Sequence, residues 1–260
     1  MTRLAANLTM LFTDLAFLDR FAAAAAAGFK AVECVSPYEH PADVVAERLR
    51  AAELEVALFN MPPGDWAAGD RGYAANPARI NEFRESIATA LTYARATGCR
   101  TLHLMAGKIP AEADRAAWTA TLIANIRLAA DAVAGDGITI VLEPINTRVD
   151  IPGYFYDHTA AVMDIIHEAD RDNVKLLFDI YHMQIMEGDL ARTIERLLPR
   201  IGHIQLADNP GRHEPGSGEI NFGWLLPHID GLGYQGWIGC EYAPATTTNA
   251  GLGWAGKYLI

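Results

Sequence analysis

Four residues with oxygen-bearing side chains stand at or near the ends of apolar runs in the second half of the chain. They are Glu143 in ITIVLEPIN, Asp179 in VKLLFDIYH, Gln205 in GHIQLAD and Glu241 in GWIGCEY. One carboxylate in such a place commonly caps a helix or joins an ion pair. Three brought together in a low-dielectric site would repel one another, and a bound cation would remove that repulsion. Carboxylate and amide oxygens suit a hard divalent ion, Mg²⁺ or Mn²⁺, whereas zinc prefers His and Cys. Carboxylates beside a metal also have perturbed proton affinities, which suits them to take and return protons.

Other residues add to this set. His182, three residues past Asp179, is expected just above such a metal, in reach of a substrate oxygen. An anionic substrate would need a local cation. Arg71, Lys108 and Arg212 are the candidates, because each lies in a stretch that follows a strand-like run. A guanidinium fits a carboxylate best, but each of the three reads equally well as a solvated surface charge. Trp66 reads as a lid over a substrate or as plain loop packing. His103 and His203 fall inside strand-like runs and read as satisfied core residues. His40, His158, His167, His213 and His228 read as surface or loop residues.

These side chains converge only if the runs they end belong to one sheet. Strands are expected over residues 4–8, 31–35, 56–60, 101–105, 138–143, 175–179, 203–207 and 237–241. Amphipathic stretches lie between them, and Gly28, Gly98 and Gly135 stand where helix C-caps would fall. Thr159 reads as an N-cap, and Asn221 as the start of a later helix. Apolar strands separated by helices imply a parallel sheet covered on both faces. Eight such units favour a closed (β/α)₈ barrel, in which strand C-termini meet at one mouth. An open doubly wound sheet is the alternative, weakened because Asn7-Leu8-Thr9-Met10 is no glycine-rich phosphate cradle. Two long loops, residues 60–77 and 207–221, follow the third and seventh strands and would lie at that mouth. No linker interrupts the pattern, so residues 1–260 are expected to form a single domain.

The 260-residue length suits one such barrel. A formal net charge of −11 argues against general nucleic-acid binding. Cys34, Cys99 and Cys240 form neither a disulfide framework nor a zinc cluster, and a reducing cytoplasm is the simple reading. No secretory leader is expected at the N-terminus, and the alanine run from Ala22 to Ala27 is too short to span a bilayer. A homo-oligomer is compatible with the sequence, but no patch marks an interface.

The strand ends and two loops resemble the xylose isomerase-like TIM barrels, and more closely the hydroxypyruvate isomerase family with its near relative, 2-oxo-tetronate isomerase. The resemblance rests on AANLTMLF, NMPPGDWAAGDRG, LEPIN, FDIYHMQ, GHIQLADNPGRHEPGSGEIN and GWIGCEY, and covers essentially the whole chain. It implies Glu143 and Glu241 as a catalytic pair, and Glu143, Asp179, Gln205 and Glu241 as ligands of a divalent metal. It implies His182 and Arg212 as substrate-side groups. Related ketose epimerases often carry His where Gln205 stands, so the ligand set departs from theirs. The implied reaction interconverts hydroxypyruvate and tartronate semialdehyde through an enediolate. Three rivals stand beside it: a 2-oxo-tetronate isomerase, a zinc-dependent DNA-repair endonuclease, and a barrel that binds sugar acids without turnover. The acidic charge and Gln205 argue against the endonuclease, and the presence of both glutamates argues against the binding barrel.

Overall fold

A computed structural model describes residues 1–259. Eight parallel strands close into a barrel in sequence order, β1 (Arg3–Asn7), β2 (Ala31–Cys34), β3 (Glu55–Asn60), β4 (Thr101–His103), β5 (Thr139–Leu142), β6 (Val174–Asp179), β7 (Ile201–Leu206) and β8 (Trp237–Cys240), with β8 pairing back on β1. Helices follow each strand: α1 (Arg20–Ala26), α2 (Ala42–Ala51), α3 (Ile80–Thr97), α4 (Arg115–Ala134), α5 (Thr159–Ala169), α6 (Ile180–Met186), α7 (Leu190–Leu197), α8 (Phe222–Gly231) and α9 (Thr248–Gly251). The fold is the expected TIM barrel, and every strand overlaps its expected span. No helix among the described residues is long and apolar enough to cross a membrane.

The large apolar core lies between the strands and the helices and gathers residues such as Phe29, Leu102, Ile140, Phe178 and Ile204. Two small clusters are separate from it: Ala5, Ala31 and Ala57 against Trp237, and Leu58, Val141 and Leu177. Val141 and Leu177 stand two residues before Glu143 and Asp179, so each pair shares a strand face. The barrel interior is therefore an apolar plug below a polar tier, not a pore.

The local signals for the helices were partly right. Gly98 ends α3 in the left-handed region, as expected. Gly135 ends α4 in a right-handed conformation, and the left-handed turn falls two residues later at Gly137. Thr159 is the first residue of α5 rather than its cap; its backbone N–H donates to the Glu187 carboxylate instead. Asn221 caps α8 by accepting from Trp224 N.

The 60–77 loop returns to the barrel at Gly72, which bridges to Ala106 just past β4 and has φ +86°. A Cβ at Gly72 would overlap the backbone of Met105. Gly72→Ala is therefore expected to destabilise the fold by about 1–3 kcal/mol, read from urea unfolding midpoints.

Candidate active site

Register brings the polar tier together. Asp179 pairs with Gln205 across β6 and β7, Gln205 with Gly239 across β7 and β8, and Asn7 with Glu33 across β1 and β2. Glu143 and Glu241 follow β5 and β8 directly. All of these polar side chains are buried, as are His103, His182 and His203. Atoms of Glu143, Asp179, His182 and Glu241 all lie within 4.8 Å of one another, close enough to hold a metal ion.

A sharper observation concerns which atoms lack partners. Glu143 Oε1, Asp179 Oδ2 and Gln205 Oε1 are buried and receive no hydrogen bond. All three are acceptors on residues expected to be metal ligands. A buried acceptor without a donor is costly, and several aimed at one region are satisfied together by a cation. Asp179 caps a helix with one oxygen and keeps the other free. Its Oδ1 accepts from Tyr181 N at 2.7 Å and His182 N at 3.3 Å, capping α6, and its Oδ2 is left to the site.

His182 takes a different part. Asn146 Oδ1 accepts from Val149 N at 2.9 Å and Asp150 N at 3.0 Å, which fixes the orientation of its amide. Asn146 Nδ2 is then a donor 2.7 Å from His182 Nδ1. Nδ1 must accept, so the single proton of the neutral imidazole sits on Nε2. That N–H lies 3.5 Å from Glu143 Oε1 and 3.7 Å from Asp179 Oδ2. A metal-ligating His donates from its other nitrogen, whereas His182 accepts there. The geometry suits a hydrogen-bond donor to a substrate oxygen. Burial, and the positive charge of Arg212, hold its pKa well below the ordinary value.

Arg212 reaches the centre from the 207–221 loop, donating to Glu241 Oε2 at 2.7 Å and Asp150 Oδ1 at 3.3 Å. Its Nε is buried without a partner. Asp208 shapes the loop by accepting from the backbone N–H groups of Asn209, Gly216, Gly218 and Ile220. Burial works against the guanidinium charge, but Glu241, Asp179, Asp150 and Glu143 outweigh it and raise the pKa of Arg212.

A cavity of about 310 Å³ opens over this centre. Glu143, His182, Arg212 and Glu241 line it, with Arg71 and Trp66 from the 60–77 loop. Arg71 lies over the Trp66 ring at 3.8 Å and donates to the Trp66 carbonyl at 3.2 Å. Lys108 is not brought in: it is exposed beyond β4, where it bridges Tyr154, and does not line the cavity. His103 departs from the core reading. It lines the cavity, its Nδ1 is 3.5 Å from Glu143 Oε2, and its Nε2 lacks a partner. His203 fits the core reading, with Nε2 2.6 Å from Glu33 Oε2. Glu33, Asn7, Asn146 and Asp150 were not singled out from the sequence. Glu33 had one usable signal, a lone acid inside the apolar run AVECV.

Comparison with known proteins gives the same frame. Residues 21–258 match the family model for xylose isomerase-like TIM barrels. A 2-oxo-tetronate isomerase of Cupriavidus necator is 53% identical over 100% of this chain and 99% of its own. The hydroxypyruvate isomerase of Escherichia coli is 45% identical over 99% of this chain and 100% of its own. The chain belongs to the hydroxypyruvate isomerase family of xylose isomerase-like TIM barrels. A solved structure described as an AP endonuclease, family 2, from Brucella melitensis superposes with a TM-score of 0.97 at 48% identity, covering all of both chains. A 3-keto-D-glucoside 4-epimerase of E. coli, at 22% identity and TM-score 0.79 over 99% of each chain, shares the fold.

The carboxylates of the centre hold their protons unusually tightly when no cation is bound. Burial, with the charges of Glu241 and Asp179, pushes Glu143 well above the usual range. Burial outweighs Arg212 to bring Glu241 to about 8, and burial brings Asp179 to about 6 against Arg212 and the α6 N–H groups. A folded pKa above the unfolded one means the folded state binds more protons between the two values. Stability is then full below the unfolded pKa and lost as pH rises through the folded one. Metal-free protein is expected to lose thermal stability from about pH 4.5 towards pH 8. Added Mn²⁺ should raise Tm more at pH 8 than at pH 5, as read by calorimetry.

Proposed function

We propose that the protein is an isomerase that converts a 3-hydroxy-2-oxo acid to the 2-hydroxy-3-oxo acid, with hydroxypyruvate and tartronate semialdehyde as the smallest such pair. The observation that carries this reading is the buried Glu143 and Glu241 pair in one cavity with the Nε2–H of His182. In this account one carboxylate takes the proton from C3 and the other delivers a proton to C2 of the enediolate, while the C3 hydroxyl gives up its proton and the oxygen on C2 gains one. They reach the cavity from strands three apart in the barrel, so they can address different sides of a planar intermediate. Proton affinities raised towards neutrality suit them to act as base and acid in turn.

A divalent ion, Mg²⁺ or Mn²⁺, fits oxygens of Glu143, Asp179, Gln205 and Glu241, and when bound would supply charge for the enediolate oxygens. The chain's own groups do the rest. His182 donates to a substrate oxygen, and Arg212 restrains Glu241 while offering its Nε–H. Arg71, at the cavity wall beside Trp66, is the better placed cation for the substrate carboxylate, since Lys108 lies outside. Trp66 covers the cavity and limits water. We assign residues 1–260 to one domain, and the three free, buried cysteines support a cytoplasmic location.

One observation favours a second substrate. The Cupriavidus relative at 53% identity is named for 2-oxo-tetronate, which replaces one C3 hydrogen of hydroxypyruvate by a hydroxymethyl group. A larger cavity of about 710 Å³ shares Thr9, Val35 and Trp66 with the first, so space adjoins the centre for a longer acid. The endonuclease description of the Brucella structure finds less support here, because the centre presents carboxylates and an amide on a chain of charge −11.

Turnover on both acids, measured side by side with Mg²⁺, Mn²⁺ or chelator, tests the proposal. The higher kcat/KM identifies the substrate, and no turnover on either overturns the isomerase reading. Glu143→Gln and Glu241→Gln are each expected to lower kcat by about 10²–10⁴-fold. Arg71→Ala is expected to act mainly on KM, about 10-fold or more upward, as removal of one charge-assisted contact to a carboxylate.

A further inference from the structure

Beneath the centre lies a carboxylate that the reaction does not use. Glu33, on β2, is fully buried, and three nitrogens converge on it. Oε1 accepts from Asn7 Nδ2 at 2.9 Å and from Gln205 Nε2 at 2.8 Å, and Oε2 lies 2.6 Å from His203 Nε2. The direction of these bonds is not arbitrary. Asn7 Oδ1 accepts from Thr9 N at 3.0 Å, so its Nδ2 must be the atom that faces Glu33. Oε1 is thereby an acceptor, and a Gln205 turned the other way would set two oxygens against each other at hydrogen-bond distance. Gln205 must present Nε2 to Glu33. Its Oε1 is then turned away, buried and without a donor, on the strand paired to Asp179. Space for Glu33 is reserved on β8, the other neighbour of β1: a Cβ at Gly239 would overlap its carboxylate.

We propose that Glu33 is a positioning residue that locks the side-chain amide of Gln205 with its oxygen towards the metal site. An amide offers a ligand on one side only, and nothing in Gln205 itself selects that side. The proposal rests on the metal reading given above, with Gln205 rather than His182 as the fourth ligand.

The test is titration of metal-free protein with Mn²⁺ alone, followed by calorimetry. Glu33→Met keeps the length but removes the carboxylate that accepts from Gln205, so both orientations become available. Glu33→Gln would not serve, because Asn7 would hold its amide oxygen where Oε1 stands and keep Gln205 in place. Loss of an outer partner of this kind typically weakens metal binding about 10–100-fold, and that loss is expected here. In a Gln205→Ala background the same substitution should change Kd less than about twofold, because Glu33 acts through Gln205. An unchanged Kd in Glu33→Met, or a full additive loss in the Gln205→Ala background, overturns the proposal. If wild-type protein binds no Mn²⁺, the metal reading itself fails and takes the proposal with it, whereas binding by wild type isolates the role of Glu33. Should Glu33→Met not fold, the wild-type protein carries the test by NMR. The Gln205 side-chain N–H protons are expected to be protected from solvent exchange with and without Mg²⁺, and rapid exchange in both states would refute the assignment.

Discussion

Mutual repulsion among buried carboxylates is the constraint around which this molecule is arranged. Glu143, Asp179 and Glu241 lie in the barrel mouth and Glu33 just beneath it, each with at most 9% of its surface exposed. Charges so close in a medium of low dielectric cannot all ionise without compensation. Arg212 supplies one fixed positive charge, and His182 and His203 supply ring nitrogens. The unpartnered oxygens on Glu143, Asp179 and Gln205 mark what those groups leave uncovered. A fold that carries such a cluster gives up stability for it, and the closed barrel with its apolar plug supplies the rigid frame that tolerates the loss.

The polar residues of the mouth divide their atoms between scaffold and site. Asp179 uses one oxygen to start α6 and leaves the other inward. Asn146 uses its oxygen to hold its own loop and its nitrogen to set the proton on His182. Arg212 ties Glu241 to Asp150 while its Nε stays unpartnered. Each group is thus oriented before any substrate arrives, which is how a site limits reorganisation during reaction.

Much of this was legible in the sequence. Strands buried on both faces are apolar runs, and parallel strands place their ends together, so Glu143, Asp179, Gln205 and Glu241 could be grouped before any coordinates. The loop residues were harder. Arg71 and Lys108 both follow strands, yet only Arg71 lines the cavity, because the 60–77 loop folds back over the mouth at Gly72. His103 and His203 were given one reading, yet their neighbours differ: one lines the cavity, the other binds Glu33. Glu33 and Asn7 escaped notice because they act on other side chains, and such indirect roles leave no spacing pattern in a single sequence.

In the proposed mechanism two different carboxylates carry the proton. The most direct measurement is isomerisation in D₂O, with deuterium read at C2 of the 2-hydroxy-3-oxo product by mass spectrometry or NMR. Transfer through Glu143 and Glu241 requires that the proton delivered to C2 come from the second group, which has equilibrated with solvent, so nearly every product molecule should carry deuterium there. Full retention of the substrate's own C3 hydrogen at C2, with no solvent label, would mean a direct hydride shift or transfer by one shielded base, and either would rule out two exchanging carboxylates.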